Sequence, residues 1–238
     1  MKTGSADTAL ATLKDERDVW IFDLDNTLYP AHCDLFTQIE QKMGFYVQKA
    51  LDLPLDEAKK VQKDYFHTYG TTLNGLMTVN GIDPHDYLAF VHDIDRTVVG
   101  PSPELDQALA ALPGRKLIYT NASRNHAEQT LDRLGLSHHF EDIFDIADSA
   151  FVPKPDMQSY ERMMQKLSVD PKRSVFFEDT AKNLAPAHDL GMATVWIATD
   201  LSWATAGARQ DNSSTLADHI HFSTDDLSAW LKELHLSK

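Results

Sequence analysis

Apolar and polar positions along this chain fall into two patterns. Short apolar runs stand out at 19–22 ("VWIF"), 116–119 ("KLIY"), 143–146, 174–177 ("SVFF") and 194–197 ("TVWI"). Most carry little polar alternation, which predicts strands covered on both faces, as in a parallel sheet. Between them the apolar spacing changes to three and four. "SRNHAEQTLDRLG" sets Ala127, Leu131 and Leu134 on one helical face and stops at Gly135. "DMQSYERMMQKL" and "TAKNLAPAHDLG" repeat the idea, the latter stopping at Gly191, and "TDDLSAWLKELH" reads as a capped helix opened by Thr224. Strands alternating with helices predict an α/β core, a doubly wound, Rossmann-like parallel sheet.

One stretch breaks the alternation. From Ala31 to about Ala111 the pattern is helical almost throughout, in "LFTQIEQKMGFYVQKAL", "LDEAKKVQKDYFHTYG" and "PHDYLAFVHDI". This predicts an all-helical domain inserted between the first and second strands, with edges near Pro30 and Pro101/Pro103. The expected organisation is a loose tail at 1–16, an α/β core from 17–30 and 101–238, and the helical insert at 31–100.

Composition narrows the function classes. With 238 residues, 42% of them hydrophobic, the chain can build a full core. A formal net charge of −14 repels phosphate backbones, so a nucleic-acid polymer is not an expected partner, whereas a small phosphorylated ligand held by local cations is. The single cysteine, Cys33, excludes an intramolecular disulfide and reads as a small packing residue. The opening residues lack an apolar leader and no run reaches membrane-spanning length, so the expected location is cytoplasmic, with no membrane partner.

The ends of the predicted strands carry the chemistry, since ligands of open α/β sheets bind beyond the strands' carboxyl ends. After the first strand come Asp23 and Asp25, after the second Thr120 and Asn121, and after "SVFF" Glu178 and Asp179. Lys154 sits between two prolines in "FVPKPD". Asp23, Asp25 and Asp179 gathered in one cleft cannot all stay ionised without a cation, and Mg²⁺ is the hard ion that suits oxygen ligands beside phosphate. Lys154, Thr120 and Asn121 then face phosphate oxygens as donors. One carboxylate can attack phosphorus to give an aspartyl-phosphate, and a second can protonate the leaving oxygen and later activate water.

Four motifs in order, "DLDNTLY", "YTNAS", the lysine of "VPKPD" and "FFEDTAKNL", resemble those of the haloacid dehalogenase-like hydrolases. "YGTTLNGLM", "FVHDID", "LIYTNA" and "FFEDTAKNLAPAHDLGM" are similar, more narrowly, to the pyrimidine 5′-nucleotidase branch, and the likeness runs from about Val19 to Ile197. The resemblance implies a phosphatase in which Asp23 is nucleophile and metal ligand. Asp25 would be the acid/base and lend Mg²⁺ its main-chain carbonyl, Thr120 and Lys154 would hold the phosphate, and Asp179 would be a direct metal ligand. Glu178 and Asn183 would support them, and the helical insert would be a cap that closes over a nucleoside monophosphate. His92 and Asp93 of "FVHDID" either touch substrate or form a buried pair that braces the hinge. Tyr65, Phe66 and Tyr69 either stack on a base or fill the cap's own core. His138-His139 has no metal-ligand partner at a useful spacing.

Rival functions share the scaffold. A phosphatase or phosphomutase of sugar phosphates uses the same residues. A dehalogenase needs no metal cluster, so Asp25 and Asp179 speak against it. A non-enzymatic aspartyl-phosphate receiver gains nothing from an acid/base beside its aspartate, so Asp25 speaks against that too.

Overall fold

The computed structural model describes residues 3–210 and 215–237. Helix α1 (Thr3–Glu16) leads to strand β1 (Val19–Phe22), and five helices follow before the next strand, the first four being α2 (Leu35–Leu51), α3 (Leu55–Tyr69), α4 (Thr72–Asn80) and α5 (Pro84–Val91). The chain continues through α6 (Pro103–Ala111), β2 (Arg115–Tyr119), α7 (Arg124–Leu134), β3 (Asp142–Phe144) and α8 (Met157–Leu167). It ends with β4 (Ser174–Glu178), α9 (Leu184–Asp189), β5 (Ala193–Ile197), β6 (Phe222–Thr224) and α10 (Leu227–Leu236).

All six strands are parallel, in the order β3-β2-β1-β4-β5-β6. Strand β1 is central, with Ile21 opposite Leu117 on one side and Phe176 on the other. Successive side chains go to opposite faces. Trp20 and Phe22 therefore join Phe177 and Trp230 in one apolar layer, and Val19 and Ile21 join Tyr119, Tyr160 and Phe176 in the other. Phe22 and Phe177 stack with ring centroids 4.5 Å apart. Burial on both faces explains why these runs lack polar alternation. The chain winds from β1 through β2 to β3 in one direction and from β4 through β5 to β6 in the other. A crevice opens where the winding reverses, beyond the carboxyl ends of β1 and β4.

Helices α2 to α5 bury Ile39, Val47, Leu76, Tyr87 and Val91 in an apolar cluster separate from those of the sheet. Where α3 crosses α4, the Tyr65 ring lies against Gly75, and a Cβ there would stand 2.4 Å from Tyr65 Cγ. Among the described residues no helix is long and apolar enough to cross a membrane.

Four local expectations need correction. The loose tail expected at 1–16 is helical from Thr3, because Leu10 and Leu13, three residues apart, are buried with Trp230 and Leu234 of α10. That burial comes from the far end of the chain, so local pattern does not signal it. Thr224 ends β6 and does not cap α10; the cap is Asp226, whose carboxylate accepts from Ala229 N at 2.9 Å. The "TAKNLAPAHDLG" helix is split into a 3₁₀ turn over Ala181–Asn183 and the short α9, with Gly191 beyond it at φ +93°. Strand β6 has no counterpart among the predicted strands, since three residues with one apolar side chain show no period.

Candidate active site

Strands β1 and β2 each deliver their polar residues by one further ladder bond. Asp23 N donates to Phe177 O at 2.9 Å, and Thr120 N donates to Phe144 O at 3.0 Å. The chain then leaves the sheet at Asn26, which takes φ +58°, a left-handed conformation that asparagine tolerates. That turn places Asp25 beside Asp23 at one cavity of about 610 Å³ between core and insert. Thr120, Asn121, Lys154, Glu178, Asp179, Asn183 and His92 line the same cavity.

Lys154 is the hub of the buried charges. Its ammonium donates to Asp23 Oδ1 at 2.7 Å, Glu178 Oε2 at 2.7 Å and Tyr119 O at 2.9 Å, which uses all three protons. Burial would discharge it, but the two carboxylates raise its pKa above the ordinary lysine value. Asn121 fixes the lysine's main chain: its Oδ1 accepts from Lys154 N at 2.9 Å and its Nδ2 donates to Lys154 O at 3.4 Å. The Asn121 amide is thus turned onto the Lys154 loop. Thr120 Oγ1 accepts from Ala122 N at 3.0 Å.

The carboxylates divide by what remains open on each. Glu178 has both oxygens occupied, by Lys154 and by Thr180 N at 3.1 Å. Asp23 accepts from Lys154 through Oδ1 alone. Asp179 accepts from Thr180 Oγ1 at 3.2 Å, while its Oδ2 is buried with no hydrogen-bond partner. Burial and the Glu178 charge push the Asp23 carboxyl up to about 8, with Lys154 pulling the other way. The same two causes raise Asp179 well above the carboxylate range. Oxygens of Asp23, Glu178 and Asp179 all lie within 4.8 Å of one another. An all-oxygen donor set, one orphaned buried oxygen and carboxylates that resist ionisation are what a hard divalent cation relieves, so these residues fit magnesium.

Asp25 has different neighbours. Its Oδ1 accepts from Tyr29 Oη and from His126 Nε2, the latter at 2.9 Å. Burial alone would raise its pKa, but His126 and Tyr29 hold the carboxyl below its usual value. Neither partner is among the residues the sequence singles out. Signals for both nonetheless exist: Tyr29 stands four residues from Asp25 within "DLDNTLY", and His126 lies in the first turn of α7, whose side chains tilt back toward the strand ends.

The insert residues sort differently from expectation. His92 lies at the cavity, with Nδ1 2.9 Å from Ser123 Oγ and its ring stacked on His126 at 4.4 Å; burial and His126 push its pKa down to about 3. Asp93 is neither a cavity residue nor a buried partner of His92: its side chain is 84% exposed and pairs with Lys42 at 3.2 Å. Tyr69 also lies outside the cavity, edge-on to Tyr65, which bonds Asn80. Of the three aromatics on α3 only Phe66 reaches the cavity. It faces Trp203, a residue without a sequence signal, on the segment after β5, with centroids 6.4 Å apart, and Lys182 Nζ lies 4.6 Å from the Phe66 centroid. Phe36 of α2 stands 5.7 Å from the same tryptophan. Cys33 is half-buried against the core. His138 and His139 do have a nearby acid, Asp106 of α6, 3.2 and 2.7 Å from their Nε2 atoms, which sequence spacing does not reveal.

The chain is similar to known proteins in sequence and in fold. The chain is 27% identical over 197 residues to phosphate metabolism protein 8 of Saccharomyces cerevisiae, a match covering 75% of this chain and 61% of the yeast protein. The chain therefore spans less than two thirds of that relative's length. It is 24% identical over 198 residues to glyceraldehyde 3-phosphate phosphatase of Methanothermobacter thermautotrophicus, covering 77% and 86% of the two chains. A crystal structure of a phosphatase from Thermococcus onnurineus shares the fold at 16% identity, with a TM-score of 0.60 over 93% of this chain and 99% of that one. Residues 18–191 match the family model described as haloacid dehalogenase-like hydrolase, and the chain belongs to that family.

Proposed function

We propose that this protein is a magnesium-dependent phosphomonoesterase that works through an aspartyl-phosphate on Asp23, with pyrimidine nucleoside 5′-monophosphates as its substrates. One observation carries the reading: Asp23, Lys154 and Asp179, contributed by three separate segments, meet at the cavity that Asp25 also enters.

The residues divide the work. Asp23, Asp179 and the main-chain carbonyl of Asp25 would hold the magnesium ion. Bound there, the ion supplies positive charge that offsets the carboxylates and the incoming phosphate. Lys154 fixes Asp23 Oδ1 and adds a second cation beside the phosphate, with Thr120 as hydroxyl donor. Asp23 attacks phosphorus, and the bond to the leaving oxygen breaks as that oxygen takes a proton from Asp25. Asp25 then takes a proton from water, whose oxygen displaces Asp23 and releases inorganic phosphate. Glu178 and Asn121 keep Lys154 in place from both ends. Residues 31–100 act as a cap over this site.

The nucleotide preference rests on the aromatic wall. Phe36, Phe66 and Trp203 give a surface on which a base can stack, with Lys182 beside it, and the pyrimidine preference itself rests on the likeness of "YGTTLNGLM" and "FVHDID" to the pyrimidine 5′-nucleotidase branch. A smaller sugar phosphate is the second reading, favoured by the relative named glyceraldehyde 3-phosphate phosphatase. Hydrolysis of UMP, CMP, AMP and a set of sugar phosphates with Mg²⁺ tests the choice: the pyrimidine nucleotides should be turned over best. Asp23→Asn should abolish phosphate release with the fold intact, and turnover surviving in that variant would rule out the aspartyl-phosphate route.

A further inference from the structure

Resting on the phosphatase reading, we infer that His126 and Arg96 are positioning residues for Asp25, selecting which of its two oxygens handles the proton and tying that choice to the segment where the insert rejoins the core.

Hydrogen-bond direction along the chain of contacts is fixed by arginine, which can only donate. Arg96 Nη2 lies 3.1 Å from His126 Nδ1 and 3.0 Å from His92 O, and Nη1 lies 3.4 Å from Ile94 O. His126 Nδ1 is therefore the acceptor. The proton of the imidazole sits on Nε2, which donates to Asp25 Oδ1 at 2.9 Å. Tyr29 donates to that same oxygen. With Oδ1 accepting twice, a proton carried by Asp25 has Oδ2 as its place, and Oδ2 is the atom left for the cavity.

The anchoring is rigid at one end and conditional at the other. His126 is fully buried, its N donates to the Ser123 cap of α7 at 3.4 Å, and His92 covers one face of its ring. Arg96 belongs to the return from α5, in the 3₁₀ turn Arg96–Val98, and grips the main chain of that return at His92 and Ile94. A shift of the return segment moves the guanidinium and releases the Nδ1 contact. Asp25 is thus held in its working rotamer when the insert is seated as in this structure.

In the reaction, Oδ2 is the Asp25 atom through which a proton passes, to the leaving oxygen as the P–O bond breaks and from water as the P–O(Asp23) bond breaks, so that over one turnover the carboxyl is returned to its starting state. An alkoxide leaving group needs the first transfer; a nitrophenolate does not, but both routes need the second.

The test compares UMP with p-nitrophenyl phosphate, with Mg²⁺, in the wild-type protein, His126→Phe, Arg96→Met and His126→Gln. For His126→Phe and Arg96→Met, kcat on UMP should fall by ~100-fold with KM nearly unchanged, the size of one lost acid–base contribution. First-turnover release of nitrophenolate should stay near wild type and appear as a burst, followed by a slower steady state as the phosphoenzyme accumulates. His126→Gln, whose amide can both donate and accept, should restore most of the UMP rate. Equal losses on both esters without a burst, a change in KM alone, or wild-type behaviour of His126→Phe would overturn the inference. If His126→Phe does not fold, Arg96→Met and His126→Gln decide it alone. A wild-type protein inactive on both esters removes the phosphatase reading itself, an outcome distinct from variants that fail against an active enzyme.

Discussion

Phe36, on the first helix of the insert, stands 5.7 Å from Trp203, on the segment that follows the fifth strand of the sheet, measured between ring centroids. Both rings line the cavity, one from the insert and one from the core, so under the proposed function substrate recognition would be shared between the two. Trp203→Ala should therefore raise KM for pyrimidine nucleotides by about 10-fold, the loss of one base-stacking contact. KM for p-nitrophenyl phosphate or a sugar phosphate should rise less. Steady-state kinetics on the three substrates checks the ratio.

Asp179 keeps a buried oxygen without a partner, so ionising it is costly until a cation arrives. In Asp179→Asn the metal-free protein should melt at a higher temperature than wild type. Added Mg²⁺ should stabilise wild type and leave the variant unmoved, because a ligand stabilises only the state that binds it. Phosphatase activity should fall by more than ~100-fold. Thermal melts with and without Mg²⁺, beside an activity assay, give all three readings.

The raised carboxyls also predict a pH dependence. Asp23 keeps its proton in the folded state up to about pH 8, whereas the unfolded chain loses it near an ordinary aspartate value. The unfolded state therefore binds fewer protons over that range, and stability falls as pH rises through it. Asp179 acts in the same direction. His92, pushed down to about 3, works oppositely once pH drops below its ordinary value of 6.5. The clear window is pH 6.5 to 8. Metal-free protein should melt about 5 °C higher at the acid end of that window. Saturating Mg²⁺, by favouring the ionised carboxylates, should flatten the slope.

Gly75 predicts the strength of packing inside the insert. Alanine there would place Cβ 2.4 Å from Tyr65 Cγ, in a ring held by its bond to Asn80. Gly75→Ala should destabilise the protein by about 1–3 kcal/mol, read as a lower melting temperature or denaturant midpoint. Tyr65→Leu in the same background should recover part of the loss by vacating the space.

Much of the architecture is legible in the chain alone. The apolar runs announce a sheet covered on both sides, and the acids, hydroxyls and lysine that follow them point to a candidate site, because a strand's direction dictates where its last residues emerge. Ser123 and Gly135 mark the bounds of α7 by local hydrogen bonding and backbone freedom. The failures share one cause. Leu10 and Leu13 need α10 to become core residues, Asp25 needs His126 from a helix 101 residues away, and Trp203 needs the insert facing it. Asp93 resembles a site residue because of its neighbour in sequence, yet the turn after α5 directs it to solvent and Lys42.

Local pattern is enough to specify the parallel α/β core, the helical insertion and the residues proposed to react, since period, capping and strand polarity are properties of short segments. Three-dimensional packing alone selects which oxygen of each carboxylate stays open, which aromatic rings face the cavity and which histidine orients Asp25. Those depend on contacts between distant segments, whose pairing is set by how the insert and the sheet pack and leaves no period in the chain.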